Sequence, residues 1–107
     1  MSSDRLLQLL QMQEESPADT FVLYALAKEY EGLSDDAEAL HYYQQIFDHD
    51  PNYVGAFYHL AKLYERQDAF LEAVSTYEKG ITVAKEVGDQ HALAELQSAK
   101  LNLEMEL

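Results

Sequence analysis

Apolar residues follow a helical spacing along nearly the whole chain. Near the N-terminus, Leu6, Leu9 and Leu10 recur at intervals of three and four residues, and Leu7 and Met12 widen the apolar arc. This spacing places apolar side chains on one face of an α-helix. Continued along the chain, the pattern predicts an all-α protein with six helices, at about residues 4–15, 17–31, 34–50, 52–66, 69–87 and 89–105.

The pattern of apolar and polar positions also repeats itself after 34 residues. A fixed period of this length is typical of stacked supersecondary units, each of which cannot bury its apolar face alone. The matching positions in the first copy are Tyr24, Leu26, Ala27, Lys28, Tyr30, Glu31, Glu38, Ala39 and Tyr43, and those in the second are Tyr58, Leu60, Ala61, Lys62, Tyr64, Glu65, Glu72, Ala73 and Tyr77.

Turn-forming residues separate the predicted helices. We expect Ser16 to be the N-cap of the second helix, with Pro17 in its first turn. Gly32 is suited to the left-handed residue that ends this helix, and Ser34 is the expected N-cap of the third. Gly88 should end the fifth helix.

The repeated residues resemble the tetratricopeptide repeat (TPR), in which each unit of 34 residues is a pair of antiparallel helices. The resemblance implies a right-handed superhelical stack of two repeats, within one domain that covers residues 1–107. Residues 20–53 and 54–87 form the repeats, residues 1–16 an N-terminal half-repeat helix, and residues 88–107 a C-terminal capping helix. The last helix does not continue the repeat, because Leu60 and Tyr64 correspond to Ala94 and Ser98.

Charge is the second strong feature of the chain. Twenty acidic and seven basic residues give a net charge of −13. Such a surface repels nucleic acid and anionic membranes, so neither is an expected partner. The excess of carboxylates fits either an ordinary solvated surface or an adaptation to high salt.

No segment of the sequence predicts a membrane span or a signal peptide, and there is no cysteine, so we expect a soluble, cytoplasmic protein without disulfides or thiolate metal sites. No nucleophile motif or glycine-rich phosphate loop occurs, and we expect no catalytic residue and no cofactor. The remote alternative is a metal-dependent protein or enzyme that uses His41, His49 and nearby carboxylates. A histidine near a helix C-terminus is explained as well by the helix dipole, so no metal site is expected.

The resemblance implies that the first helices of the repeats line a concave face that binds an extended peptide or a partner helix. The residues of these helices that point away from the core pattern are Phe21, Tyr24, Lys28 and Glu31 in the first repeat, and Gly55, Tyr58, His59, Lys62 and Arg66 in the second. All of these except Glu31 and Gly55 are predicted to bind the peptide. Tyr24 with Lys28, and Tyr58 with Lys62, lie one helical turn apart. We call each of these pairs a Tyr–Lys row.

Two interpretations of the Tyr–Lys rows stay open. In the functional one, the rows bind a protein or peptide that carries carboxylates. In the structural one, each lysine pairs only with the glutamate three residues on. Some TPR domains hold the acidic tail of a heat-shock chaperone with lysines, asparagines and an arginine, and this chain is similar in its lysines only. Self-association into a weak homodimer, through the concave face or the last helix, is the alternative function.

Overall fold

A computed structural model describes residues 3–107, and within that range every regular element is an α-helix. This confirms the all-α prediction. The helices are α1 (Asp4–Glu15), α2 (Thr20–Gly32), α3 (Asp36–His49), α4 (Val54–Arg66), α5 (Phe70–Val87) and α6 (Gln90–Glu106). The chain divides after Pro51 into two compact units, which we call unit 1 (α1 to α3) and unit 2 (α4 to α6).

Unit 1 is built on the pairing of α2 with α3, and α1 packs on α2. Ala27 and Ala39 are fully buried, and small residues at such positions let helices approach closely. The ring of Tyr43 fills the core beside them and is also fully buried. The remaining buried side chains are Leu6, Leu9, Val22, Leu23, Leu26, Tyr42 and Ile46.

Unit 2 repeats this arrangement with α4 and α5. Ala61, Ala73 and the ring of Tyr77 take the places of Ala27, Ala39 and Tyr43, and all three are fully buried. Gly80 of α5 lies against Phe57, where an added Cβ would be 2.7 Å from the Phe57 Cβ. This close contact explains why glycine, which has no side chain, occupies an interior position of α5.

The sixth helix covers α5 and also touches α4. It buries Leu96, Ala99 and Leu103, while Leu101 and Met105 stay exposed. Its apolar stripe therefore faces α5 and α4, although its sequence has left the repeat register.

Three of the predicted helix boundaries are wrong. The N-cap of α2 is Asp19, whose carboxylate accepts hydrogen bonds from the backbone of Phe21 and Val22, and Pro17 lies in the preceding turn. Aspartate and serine are about equally good N-caps, so residue type does not decide between them. Ser16 instead ends α1, where its backbone N–H donates to Met12. Likewise, Asp35 caps α3 in place of Ser34.

The third correction concerns the end of α2. Gly32 belongs to the helix, and the left-handed residue is Ser34, with φ 61°. Asp68, 34 positions later, has the same conformation, with φ 57°. The turn between the paired helices is therefore part of the repeat. Gly88 ends α5 with φ 77°, as predicted.

Candidate functional site

The outward face of each repeat carries the same three-residue network. In unit 1 the buried Tyr43 hydroxyl donates a hydrogen bond to the Glu31 carboxylate, and Lys28 Nζ lies 3.9 Å from the same group. In unit 2, the Tyr77 hydroxyl donates to the Glu65 carboxylate, which lies 3.6 Å from Lys62 Nζ. Each lysine thus has a carboxylate partner on its own helix, as the structural interpretation predicts.

The glutamates act chiefly as acceptors for buried tyrosines. Burial raises the pKa of Tyr77 well above its ordinary value, and the hydrogen bond to the Glu65 carboxylate and its charge raise it further. A hydroxyl at the edge of an apolar core needs such an acceptor, because a buried polar group without a partner is costly. The lysine is then a second, more exposed neighbour of a glutamate already fixed in place.

The tyrosines of the Tyr–Lys rows pack against this network. The ring of Tyr24 meets that of Tyr43 edge to face, at 6.4 Å between centroids. On α4, Lys62 Nζ lies 5.6 Å from the centre of the Tyr58 ring, and the His59 ring meets Tyr58 edge to face at 5.6 Å. Tyr24 thus packs on a buried ring of the core, and Tyr58 packs against the lysine that pairs with Glu65.

The predicted site residues differ in exposure. Phe21 is the most accessible of the aromatic ones, with 68% of its surface exposed. The side chains of Lys28 and Lys62 are 42% and 40% exposed, and Arg66 is exposed at the end of α4. Tyr24, Tyr58 and His59 are half-buried. The structure thus brings Tyr58, His59 and Lys62 together on α4, and Tyr24 and Lys28 together on α2.

A cleft of about 470 Å³ opens between α4 and α6, next to the second Tyr–Lys row. Ala99 and Leu103 of α6 are buried, and Met105 is 77% exposed. We call this the α4–α6 cleft; its lining is Lys62, Glu65, Ala99, Asn102, Leu103, Met105 and Glu106. Sequence reasoning missed the residues that α6 contributes, because the helix is out of register and only its packing shows which side faces α4.

The two repeats differ beside Tyr30 and Tyr64. In unit 1, the Tyr42 ring stacks on Tyr30 at 5.6 Å, and its hydroxyl donates to the Gln13 side chain at 3.1 Å. In unit 2 the position equivalent to Tyr42 is Thr76, whose hydroxyl bonds to the backbone of its own helix. A shallow cavity of about 260 Å³ lies there, lined by Tyr64, Leu71, Glu72, Ser75, Thr76 and Lys79.

The structure does not bring His41 and His49 into a cluster of metal-ligating side chains. His41 is exposed, with its Nε2 2.6 Å from the Gln45 side-chain nitrogen, and His49 is exposed at the end of α3. Within residues 3–107 no group of three or more possible metal-ligating side chains occurs. No helix in that part of the chain is both long and apolar enough to cross a membrane.

Known proteins share both the sequence pattern and the fold. A family model described as tetratricopeptide repeat matches residues 54–86. The crystal structure of a tetratricopeptide repeat domain protein from Salinibacter ruber is 48% identical, with a TM-score of 0.76; the match covers 80% of this chain and 96% of that one. A comparison with curated proteins gave no match.

Two further structures share the fold at lower identity. A Bordetella parapertussis protein is 26% identical, with a TM-score of 0.84, over 99% of this chain and 91% of that one. The TPR2B domain of yeast Sti1, solved as a complex with pHsp70, is 19% identical, with a TM-score of 0.87, over 95% and 82% of the two chains. Given the repeated helix pairs and the close match to the Salinibacter ruber domain, the chain belongs to the tetratricopeptide repeat family.

Proposed function

We propose that this chain is a non-enzymatic scaffold that binds a protein or peptide partner, and that each repeat contributes its Tyr–Lys row. The observation that carries the proposal is that the same row, held by the same glutamate–tyrosine network, stands on both α2 and α4. The TPR fold in general mediates contacts between proteins, and the Sti1 domain with its pHsp70 complex is one example of the fold.

The remaining predicted site residues extend the two rows. Phe21 adds an exposed ring one turn before Tyr24, and Arg66 adds a cation one turn after Lys62. Aromatic side chains and arginine are the residue types that contribute most to protein interfaces. The prediction of an acidic partner rests on the lysines, and each of these already has a glutamate beside it. The lysines by themselves therefore do not fix the sign of the partner's charge.

A charge-reversal pair tests the proposal. A peptide-library screen with the wild-type protein should give ligands of micromolar affinity, about 8 kcal/mol, because two repeats offer a small surface. The double variant Lys28→Glu/Lys62→Glu should change or abolish their binding. Tyr58→Ala should weaken it through loss of aromatic contact.

The matched control is Lys79→Glu/Lys85→Glu, which changes the net charge by the same amount at two exposed positions of α5. Circular dichroism checks that all variants remain folded. If ligands bind equally well to the wild type and to both double variants, the Tyr–Lys rows are only a solvated surface and the proposal is wrong.

Self-association remains the second candidate because α6 exposes Leu101, Met105 and Leu107. Three side chains of this kind expose on the order of 400 Å², about half of the roughly 800 Å² per partner in a stable interface. This strip alone would therefore support only weak association. Sedimentation at increasing protein concentration tests it, and a mass that stays at one chain would exclude it.

A further inference from the structure

The charged residues that line the α4–α6 cleft sum to a negative charge, and Arg66, the other exposed cation of α4, is not among them. Lys62 is the one cation that lines the α4–α6 cleft, and Glu65 and Glu106 are its two carboxylates. Glu65 lies 3.6 Å from Lys62 and compensates its charge, so Glu106 is in excess. The nearest cation on α6 does not change this, because Lys100 Nζ pairs with Glu104 at 3.5 Å.

The surroundings of the cleft add to this negative charge. Residues 52–107 contain nine acidic and five basic side chains, and the whole chain has a net charge of −13. The last turn of α6 contains no basic residue. A cation is therefore attracted to the cleft both at long range and in its immediate surroundings. A carboxylate is repelled, except in direct contact with Lys62.

The shape of the cleft accommodates one apolar side chain. Its volume of about 470 Å³ lies within the usual range of ligand sites, and most of its accessible apolar surface comes from Met105, because Ala99 and Leu103 are almost fully buried at its floor. Met105 is exposed and unbranched, and a methionine adapts its shape to the group packed against it. Asn102 offers an amide that can both donate and accept a hydrogen bond at the backbone of a bound segment.

We infer that the α4–α6 cleft binds a basic segment of a partner protein, which places an apolar side chain against Leu103 and Met105 and a lysine or arginine beside Glu106. This inference rests on the proposed function, since it names the partner chemistry at the same face of α4. It replaces the acidic peptide that the lysines alone suggested. Lys62 then repels the basic partner and weakens its binding, whereas the surrounding carboxylates attract it and favour it over an acidic one.

The probes are three synthetic peptides that share one leucine in a neutral glycine–serine background. The leucine is flanked by arginines in the first, by glutamines in the second and by glutamates in the third. Affinities are measured by calorimetry and the contacted residues by amide chemical shifts. The arginine peptide should bind up to about fivefold more tightly than the glutamine peptide, because an exposed charge contact contributes at most about that factor. It should shift the amides of Asn102, Met105 and Glu106.

Two variants distinguish a local contact from general charge attraction. Glu106→Lys should weaken binding of the arginine peptide about fivefold or more. Glu78→Lys, which makes the same change of net charge at an exposed position of α5 outside the cleft, should weaken it much less. Equal effects of the two variants would overturn the inference.

The sign of the effect at Lys62 separates this inference from the proposed function. Lys62→Gln should tighten binding of the arginine peptide. If the glutamate peptide binds most tightly and Lys62→Gln weakens it, the partner is acidic: the inference is overturned while the proposed function stands. If the three peptides fail to bind and the library screen also gives no ligand, both are wrong.

The apolar contact is tested separately. Met105→Ala should weaken the arginine peptide severalfold, whereas Leu101→Ala, a similar truncation on the same helix outside the cleft, should not. Equal loss in both variants would place the peptide elsewhere on α6 and would overturn the inference.

Discussion

Glu31 and Glu65 each connect a buried tyrosine hydroxyl to a partly exposed lysine. The two contacts differ in energy. A hydrogen bond from a buried hydroxyl to a carboxylate contributes about 1.5–3 kcal/mol, whereas an exposed ion pair contributes at most about 1 kcal/mol. The tyrosine therefore fixes the glutamate, and the lysine can be changed with little effect on the fold. This difference makes Lys28 and Lys62 suitable for binding tests.

Tyr77→Phe tests this ranking. The variant keeps the ring in the core and removes the donor to Glu65, so the free energy of unfolding should fall by about 1–2 kcal/mol. Lys62→Gln should lower it by less than about 1 kcal/mol. Denaturant titrations measure both, and a larger loss in Lys62→Gln than in Tyr77→Phe would contradict the ranking.

The stability of the wild type and of Tyr77→Phe should also depend differently on pH. The pKa of Tyr77 is raised in the folded state above its ordinary value of 10.0, so folding favours the neutral hydroxyl. This stabilisation is complete below pH 10 and is lost as the pH rises above it. The difference in stability between wild type and Tyr77→Phe should therefore shrink above about pH 10. A difference that stays constant up to strongly alkaline pH would show that the hydroxyl does not ionise on unfolding.

Of the glycines in unit 2, Gly80 leaves the least room for a Cβ atom. A Cβ at this position would lie 2.7 Å from the Phe57 Cβ and 3.1 Å from a Leu96 methyl group. Gly80→Ala should therefore cost about 1–3 kcal/mol, despite the better helix propensity of alanine. Gly55→Ala is the control, since its Cβ would meet only Tyr53, at 4.0 Å. Equal stability of the two variants in thermal unfolding would show that α5 can shift away from α4 and α6.

At the scale of the elements, the turn between paired helices shows what the sequence could and could not predict. Helix spacing and the 34-residue period predicted the six helices and their pairing. The left-handed position was assigned to Gly32, by residue type, although Ser34 and Asp68 adopt it. Residue preference is a weak guide there because the turn is closed by backbone hydrogen bonds, from Asp35 N–H to Tyr30 and from Ala69 N–H to Tyr64, each 2.9 Å long.

Glycine at these two turns should stabilise the protein. A non-glycine residue with φ near 60° carries strain of about 1 kcal/mol, which glycine removes. Glycine also raises the conformational entropy of the unfolded chain, and this offsets part of the gain in stability. Ser34→Gly and Asp68→Gly should each raise the free energy of unfolding by a few tenths to about 1 kcal/mol. Gly88→Ala, at φ 77°, should lower it. Destabilisation by Ser34→Gly would mean that the serine side chain has a role beyond tolerating the turn.

The sixth helix shows why the candidate site could be predicted only in part. The repeat placed Tyr58 and Lys62 on the outward face of α4, because both positions have counterparts in the first copy. For Asn102 and Glu106 the repeat gives no such guide, because α6 has left the repeat register. Their position depends on how Leu96, Ala99 and Leu103 pack against α5 and α4. This is a tertiary contact that no repeated sequence pattern indicates. The glutamate partners of the lysines were predictable, since both lie on one helical turn.

At the scale of the whole molecule, the negative charge is unevenly distributed. Residues 1–51 contain eleven acidic and two basic side chains, and residues 52–107 contain nine and five. The two cations of the first unit both lie beside carboxylates of α2, Arg5 at 3.4 Å from Glu29 and Lys28 at 3.9 Å from Glu31. Other carboxylates of the unit, such as Glu14, Glu15 and Asp48, are exposed. Mutual repulsion should therefore destabilise unit 1 more than unit 2.

The melting temperature at increasing salt concentration tests how strongly this repulsion destabilises the protein. The Debye length falls from about 10 Å at 0.1 M to about 3 Å at 1 M salt, so sodium chloride should screen most repulsion between exposed carboxylates within a few tenths molar. We expect the melting temperature to rise over that range and then to level off. Glu14→Lys/Glu15→Lys, which removes repulsion in unit 1, should reduce the rise. Chloride is preferred to sulfate because excluded salts stabilise folded proteins regardless of charge. A steady rise well beyond this range, equal in the wild type and the variant, would contradict simple screening and would favour adaptation of the surface to high salt.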